Sequence, residues 1–419
     1  MYYHTWSRKD NNKKITIMRP ITIIALALLA ALPAAADDVT ITITNPTDVQ
    51  RQELVEVDLN TILPKLALGD GETFIVNNAL GQQVATQQTK DGKLLIDVAV
   101  RPGAQATFTI TKGTPQTFPT TVTGRQYPER VDDIAWENDR TAYRIYGPAL
   151  QASGERAFGV DVWVKNTPDL EVEKRYTTEL DNHAAIQQLR EQGKADEALL
   201  LEQATTYHYD HGYGLDCYKV GPTLGGGAPA LLIDGQLLMP YCYKDYEILD
   251  NGPLRFAVHV SYNPVSVGTD DNVVEHRIIS LDKGSNFNKV VVWYEGLTQP
   301  CKLAAGVVLH EEDLTSIALD TNSVLYADPT DNAQGQNFQI YVGALFPDGV
   351  EQTTKLMNES GDGGYAGHAV GITTLQPGQR YTYYFGSAWS KNDVRTFDEW
   401  KLRAAGTLNA LSQPLVVNP

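Results

Sequence analysis

The chain has 419 residues, 42% of them hydrophobic and 20% charged, and a formal net charge of −17. The composition is that of an ordinary globular protein, long enough for two or three domains. Its acidity excludes nucleic acid and anionic membrane as partners held by bulk charge.

From Met18 the sequence runs MRPITIIALALLAALPAAADD. A basic residue, an apolar run from Ile21 to Leu32 and Ala34-Ala35-Ala36 before two acids form a secretory signal. The run is too short to cross a bilayer and no second one follows, so no membrane span is expected. Residues 1–17 are polar and basic, which makes Met18 the expected start. The mature chain, periplasmic or secreted, is expected to begin near Asp37. Residues 1–36 carry five Lys/Arg and one Asp, so their removal takes the net charge to −21.

Residues 37–115 read as a small N-terminal β-sandwich. DVTITITNPTDVQ, ETFIVNN, LLIDVAV and ATFTITK alternate apolar with polar residues, between GDG, KDGK and RPGA turns. A Pro/Thr-rich connector, TPQTFPTTVTGRQYPER, leads into residues 116–419. There TAYRIYG, FGVDVWVK, LRFAVHVSYN, VVEHRIISLD, KVVVWYEG, AAGVVLHEE, FQIYVGALF and YTYYFGSAW predict a large antiparallel β-sandwich, with no alternating βαβ pattern. One helical insertion is expected over residues 179–205, split into two helices at Gly193.

The insertion feeds YHYDHGYGLDCYKVG, residues 207–221. If residues 207–211 are extended, His208 and Asp210 share one face, with Tyr207, Tyr209 and His211 on the other. Gly212 and Gly214 then permit a turn that brings His211, Tyr213, Asp216 and Tyr218 to one cavity, with Lys219 at its end. Histidine beside tyrosine suits proton transfer, one group removing a proton and the other protonating a leaving oxygen. The bland alternative is a tyrosine-rich turn with hydrogen-bonded histidines. His208, Asp210 and His211 are also metal-ligand types, but neighbours on a strand point to opposite faces, so no metal is expected, nor any cofactor.

Three further clusters offer binding residues. In WENDRTAYRIYGPAL (136–150), Trp136 and Tyr143 would stack on a sugar ring and Arg144 would fork to a carboxylate. Against this stand a core tryptophan and a surface ion pair to Glu137 or Asp139. In EHRIISLDKGSNFNK (275–289), Glu275 and Arg277 alternate outward, with a solvated sheet face as the alternative. SAWSKND and GDGGYAGHA add Trp389, Lys391 and His368. The glycine run GPTLGGGAPALL lacks the GK[ST] of a phosphate loop, and there is no GxSxG or HExxH. Cys217, Cys242 and Cys301 fit no zinc framework; one disulfide is permitted, and buried small hydrophobes are the expectation.

In this order, ITNPTDVQRQELVEVDL, WENDRTAYRIYGP, YHYDHGYGLDCYKVGPTLGGG, RIISLDKGSNFN and SAWSKNDVRTFDEW resemble the secreted bacterial domain-of-unknown-function family 4861, over nearly the whole mature chain. The resemblance implies a protein of a polysaccharide-utilisation gene cluster with a galactose-mutarotase-like β-supersandwich. It also implies lyase-like or water-eliminating chemistry on uronate-containing oligosaccharides such as those of ulvan; no catalytic residue is carried over. Elimination across C4–C5 of a uronate needs a cation on the carboxylate, a base for H5 and an acid for the leaving oxygen. Arg144 or Lys219, His208 or His211, and Tyr213 or Tyr218 are the expected groups. A glycoside hydrolase would instead pair Asp210 or Asp216 with Glu275. A non-catalytic glycan binder would use Trp136 and Trp389 as platforms.

Overall fold

The computed structural model describes residues 38–239, 241–311, 313, 315–329, 335 and 337–418. The expected signal sequence lies outside them.

Strand alternation decides the architecture. Val39, Ile41 and Ile43 face inward from the first strand, and Leu94, Ile96, Val98 and Val100 do so from Lys93–Val100. They join one apolar cluster between a four-stranded and a three-stranded sheet. The four-stranded sheet includes Val416–Asn418, so the C-terminus returns to pair with Val39–Thr44. A helix, Leu59–Leu66, plugs one end through Leu59, Ile62 and Leu66. The strand Arg51–Asp58, paired along its length with Lys93–Val100, was not anticipated.

The remaining chain is mostly β and antiparallel, as expected. A nine-stranded sheet runs from Tyr243–Asn251 to Ile317–Asp320, and two five-stranded sheets accompany it. On one face it presents Phe256, Val258, Val260, Val290, Val292, Tyr294, Val342 and Phe385 to a large apolar cluster, to which both five-stranded sheets contribute. That arrangement is a supersandwich. Cys217 and Cys242 are buried in the same cluster. On its opposite face Phe287, Leu325, Tyr341 and Leu345 receive Trp400 and Ala404 of the C-terminal helix Phe397–Ser412.

The helical insertion packs on the outer face of the five-stranded sheet that runs from Thr123–Tyr127 to Gly214–Asp216. Its helices are Val172–Glu191 and Ala195–Thr205, with Gly193 between them at φ 75°, a left-handed conformation that glycine adopts without strain. The first begins earlier than expected, since Val172, Tyr176 and Tyr207 pack on Tyr127, Ala135, Ala142 and Trp163 of the sheet. Among the described residues no helix is long and apolar enough to cross a membrane.

Candidate functional site

Residues 207–213 are an irregular turn and not the extended segment expected, because Asp210 folds back into its own loop. Its Oδ1 accepts from Gly212 N (2.8 Å) and Gly214 N (3.0 Å), while Oδ2 pairs with Lys391 Nζ. Gly214 sits against the neighbouring strand at φ 108°, where a Cβ would lie 2.0 Å from Val164 O. Only glycine closes this turn. Against the effect of burial, Lys391 and the two amides hold the Asp210 carboxyl below its ordinary range.

Both histidines of the turn are anchored to carbonyl oxygens. His208 Nδ1 lies 3.0 Å from Asp216 O, and His211 Nε2 lies 2.9 Å from Thr206 O. A carbonyl only accepts, so the contacting nitrogen carries the proton and the other nitrogen of the neutral ring keeps a lone pair. The His208 side chain is 56% exposed, which leaves its Nε2 to solvent. Beneath it, Asp216 Oδ2 is 3.8 Å from Nδ1.

Asp216 belongs to a buried cluster assembled by sheet register. Arg144 lies opposite Asp161 on the adjacent strand, and Asp216 opposite Trp163 on the next. Arg144 Nε donates to Asp161 Oδ2 (2.8 Å), Nη2 donates to Asp216 Oδ2 (3.0 Å), and Nη1 is 3.5 Å from Asp133 Oδ2. Trp163 Nε1 and Tyr176 Oη add hydrogen bonds to Asp161 and Asp133. One guanidinium thus faces three carboxyls, all of them buried. Burial, with Asp161 alongside, raises the Asp216 carboxyl to about 7; burial also raises Asp133, to about 6. The cluster therefore retains a proton near neutral pH, under an exposed histidine.

A second histidine–carboxyl dyad adjoins the segment that carries Tyr218 and Lys219. His310 Nδ1 contacts Asp328 Oδ2 (2.7 Å) and Nε2 contacts Lys219 O (2.9 Å), so a histidine fixes the backbone of the segment that carries Lys219. The Tyr218 ring meets His310 edge-on at 5.7 Å. The Lys219 side chain is exposed and has no partner among the described residues. Tyr213 is half-buried, with Lys174 Nζ 4.2 Å from its ring centroid. Asp328, Asp133 and Asp161 were not anticipated. In AAGVVLHEE the histidine stands immediately after the strand Cys301–Leu309, which was the available signal for His310.

The other expected residues are buried, and most are held by protein partners. Trp136 and Tyr143 are buried in the main core, where Trp136 stacks on Tyr143 and Phe256 and Tyr143 Oη reaches Asn286 O. Trp389 is 2% exposed. None of the three has a free ring face, so sugar stacking gives way to packing, and the glycan-binder reading loses its platforms. Arg144 pairs with neither Glu137 nor Asp139, and its three acids leave it no fork for a substrate carboxylate. Glu275 and Arg277 face inward and pair with each other, with Tyr294 Oη on Glu275 Oε2 (2.9 Å). The hydrolase reading thereby loses its second carboxylate. His368 is buried with Nε2 accepting from Leu224 N (3.2 Å), and Tyr218 is buried with its hydroxyl unbonded. Among the described residues no group of His, Cys, Asp and Glu is arranged to hold a metal ion.

The chain is 28% identical over 290 residues to "Uncharacterized protein P7" of Formosa agariphila, covering 65% of this chain and 67% of that one. Among solved structures it is similar to an alpha-mannosidase from Enterococcus faecalis V583, with 9% identity and a TM-score of 0.46 over 91% of this chain. It spans 46% of that mannosidase's length. The periplasmic domain of Thermotoga maritima YidC is similar at 10% identity and a TM-score of 0.33, covering 69% of this chain and 95% of that one. Residues 43–417 match the model of the family described as "Domain of unknown function (DUF4861)", and the chain belongs to that family.

Proposed function

We propose that the chain is a secreted carbohydrate-active enzyme that performs β-elimination on uronate-containing oligosaccharides, as a lyase or a hydro-lyase. The observation that carries this reading is His208, its Nδ1–H committed to a carbonyl, its Nε2 facing solvent and a carboxyl beneath it. Such a ring is a base whose positive charge, once it takes a proton, faces the negative charge that one guanidinium and one proton leave on three buried carboxyls.

In this mechanism Lys219 holds the substrate carboxylate, its backbone fixed by His310. The ammonium draws charge from C5 and lowers the barrier to removing H5. His208 Nε2 takes H5, the C5–H electron pair forms the C4–C5 double bond, and the C4–O bond breaks. Tyr213, the half-buried tyrosine of the loop, gives its proton to the departing oxygen and recovers one from His208 or water. His211 stands in reserve for either proton. Arg144, committed to three acids, maintains the charge of the floor and does not touch substrate.

Incubation with uronate oligosaccharides tests the reading. Ultraviolet absorbance of an unsaturated uronate is expected, with mass spectrometry separating loss of water from chain cleavage. Release of reducing sugar with no such absorbance overturns elimination.

A further inference from the structure

A groove of about 850 Å³ lies on the face of the nine-stranded sheet opposite the main core. Its floor includes Ser280, Lys289 and Tyr384, cross-strand neighbours on three adjacent strands. The strand Arg51–Asp58 forms one wall and the C-terminal helix Phe397–Ser412 the other. Small-molecule sites occupy about 300–1,000 Å³, so the volume suits a ligand of a few sugar rings.

The lining differs in charge from the rest of the chain. Its charged residues are six cations and five acids, whereas the whole sequence has 34 cations and 51 acids. Arg140 and Arg403 share the single carboxylate of Asp393, so the positive end of the groove lies there, while Arg255 faces both Glu56 and Asp282. Lys289 is exposed and has no ion-pair partner among the described residues. The Arg140 and Arg403 side chains keep about a third of their surface open to solvent, 32% and 34%. Leu402, 72% exposed, stands on the helix wall, and the half-buried Tyr384 ring lies in the floor.

We propose that this groove is a second, non-catalytic site that binds an acidic oligosaccharide. Planar guanidiniums and amides match ring hydroxyls and carboxylate or sulfate groups, while the Tyr384 ring and Leu402 meet the apolar faces of the rings. A rigid sheet floor binds without ordering loops. Holding one stretch of a chain here raises its effective concentration at the enzyme. The ligand class follows from the lining and not from the elimination mechanism, so either conclusion can fail alone.

Calorimetric titration with hexagalacturonate and with a heparin-derived hexasaccharide tests the site, using the His208→Ala protein so that no substrate is consumed. Binding of at least one acidic probe is expected, with weaker binding of carboxyl-reduced hexagalacturonate. Lys289→Glu is expected to weaken it by about tenfold, the scale of one lost charge-assisted contact. Gly406→Trp fills the groove from its wall: a Cβ there meets nothing within 4 Å, and the helix loses a glycine, so the variant is expected to fold. It is expected to remove the binding event that Lys289→Glu weakens, leaving any binding at the catalytic site, while turnover of short substrates by the His208-containing chain is unchanged. Failure of both acidic probes, equal affinity for the reduced probe, or wild-type affinity in both groove variants overturns the proposal.

Discussion

Replacing Asp216 by asparagine isolates the proton held by the arginine cluster. The carboxyl is buried under His208, with one guanidinium shared among three acids. Burial and the neighbouring Asp161 raise its pKa from 3.8 to about 7. The folded chain therefore keeps a proton that the unfolded chain has released. A rise of about three units corresponds to about 4 kcal/mol of stability, fully present below about pH 4 and lost as pH rises through about 7. Asp133, raised to about 6, competes for the same proton, so about 2 kcal/mol is expected for Asp216 alone. Asparagine keeps an oxygen for Arg144 Nη2 and cannot ionise. In urea unfolding the variant is expected to match the wild type near pH 5 and to exceed it by about 2 kcal/mol near pH 8. A stability loss of equal size at both pH values would show that Asp216 is an ordinary ionised partner of Arg144, and the stored-proton argument would be wrong.

His208→Ala and His211→Ala are each expected to leave circular dichroism unchanged and to lower turnover by about a hundredfold or more; near-wild-type turnover in both reduces the loop to a structural turn. Trp136→Ala is expected to cost about 3–5 kcal/mol in urea unfolding, because a fully buried ring and its Nε1–H bond to Asn288 Oδ1 (2.7 Å) are lost, while KM of the folded fraction is unchanged. Burial, with His310 nearby, lowers His368 to about 4, so its contribution to stability is present above about pH 6.5 and lost as pH falls through about 4. His368→Gln keeps an acceptor for Leu224 N, and its stability relative to wild type is expected to rise between pH 7 and pH 4 by up to about 3 kcal/mol in urea unfolding.

The strands were legible because a half-buried sheet writes a period of two into the sequence, and VTITIT, KLLIDVAV and RFAVHVSY carry it plainly. The C-terminal helix was missed although its start is marked: Thr396 Oγ1 accepts from Glu399 N, three residues on. The same period of two contained a correction to the expected sugar site. Trp136 and Tyr143 are cross-strand partners and share a face, and Arg144, next to Tyr143 on its strand, must point the other way. No site on one side of that sheet holds all three. With the aromatic pair taken by the core, Arg144 faces the outer layer, where a buried guanidinium needs carboxylates. Those carboxylates come from residues 133, 161 and 216, and only the pairing of their strands brings them together. An arginine beside an aromatic core residue in a strand is thus evidence that a further layer covers the sheet. Here that layer is the helix Val172–Glu191, with the loop that carries His208 at its edge. The outer layer buries the acids, burial stores the proton, and the exposed histidine stands directly above them.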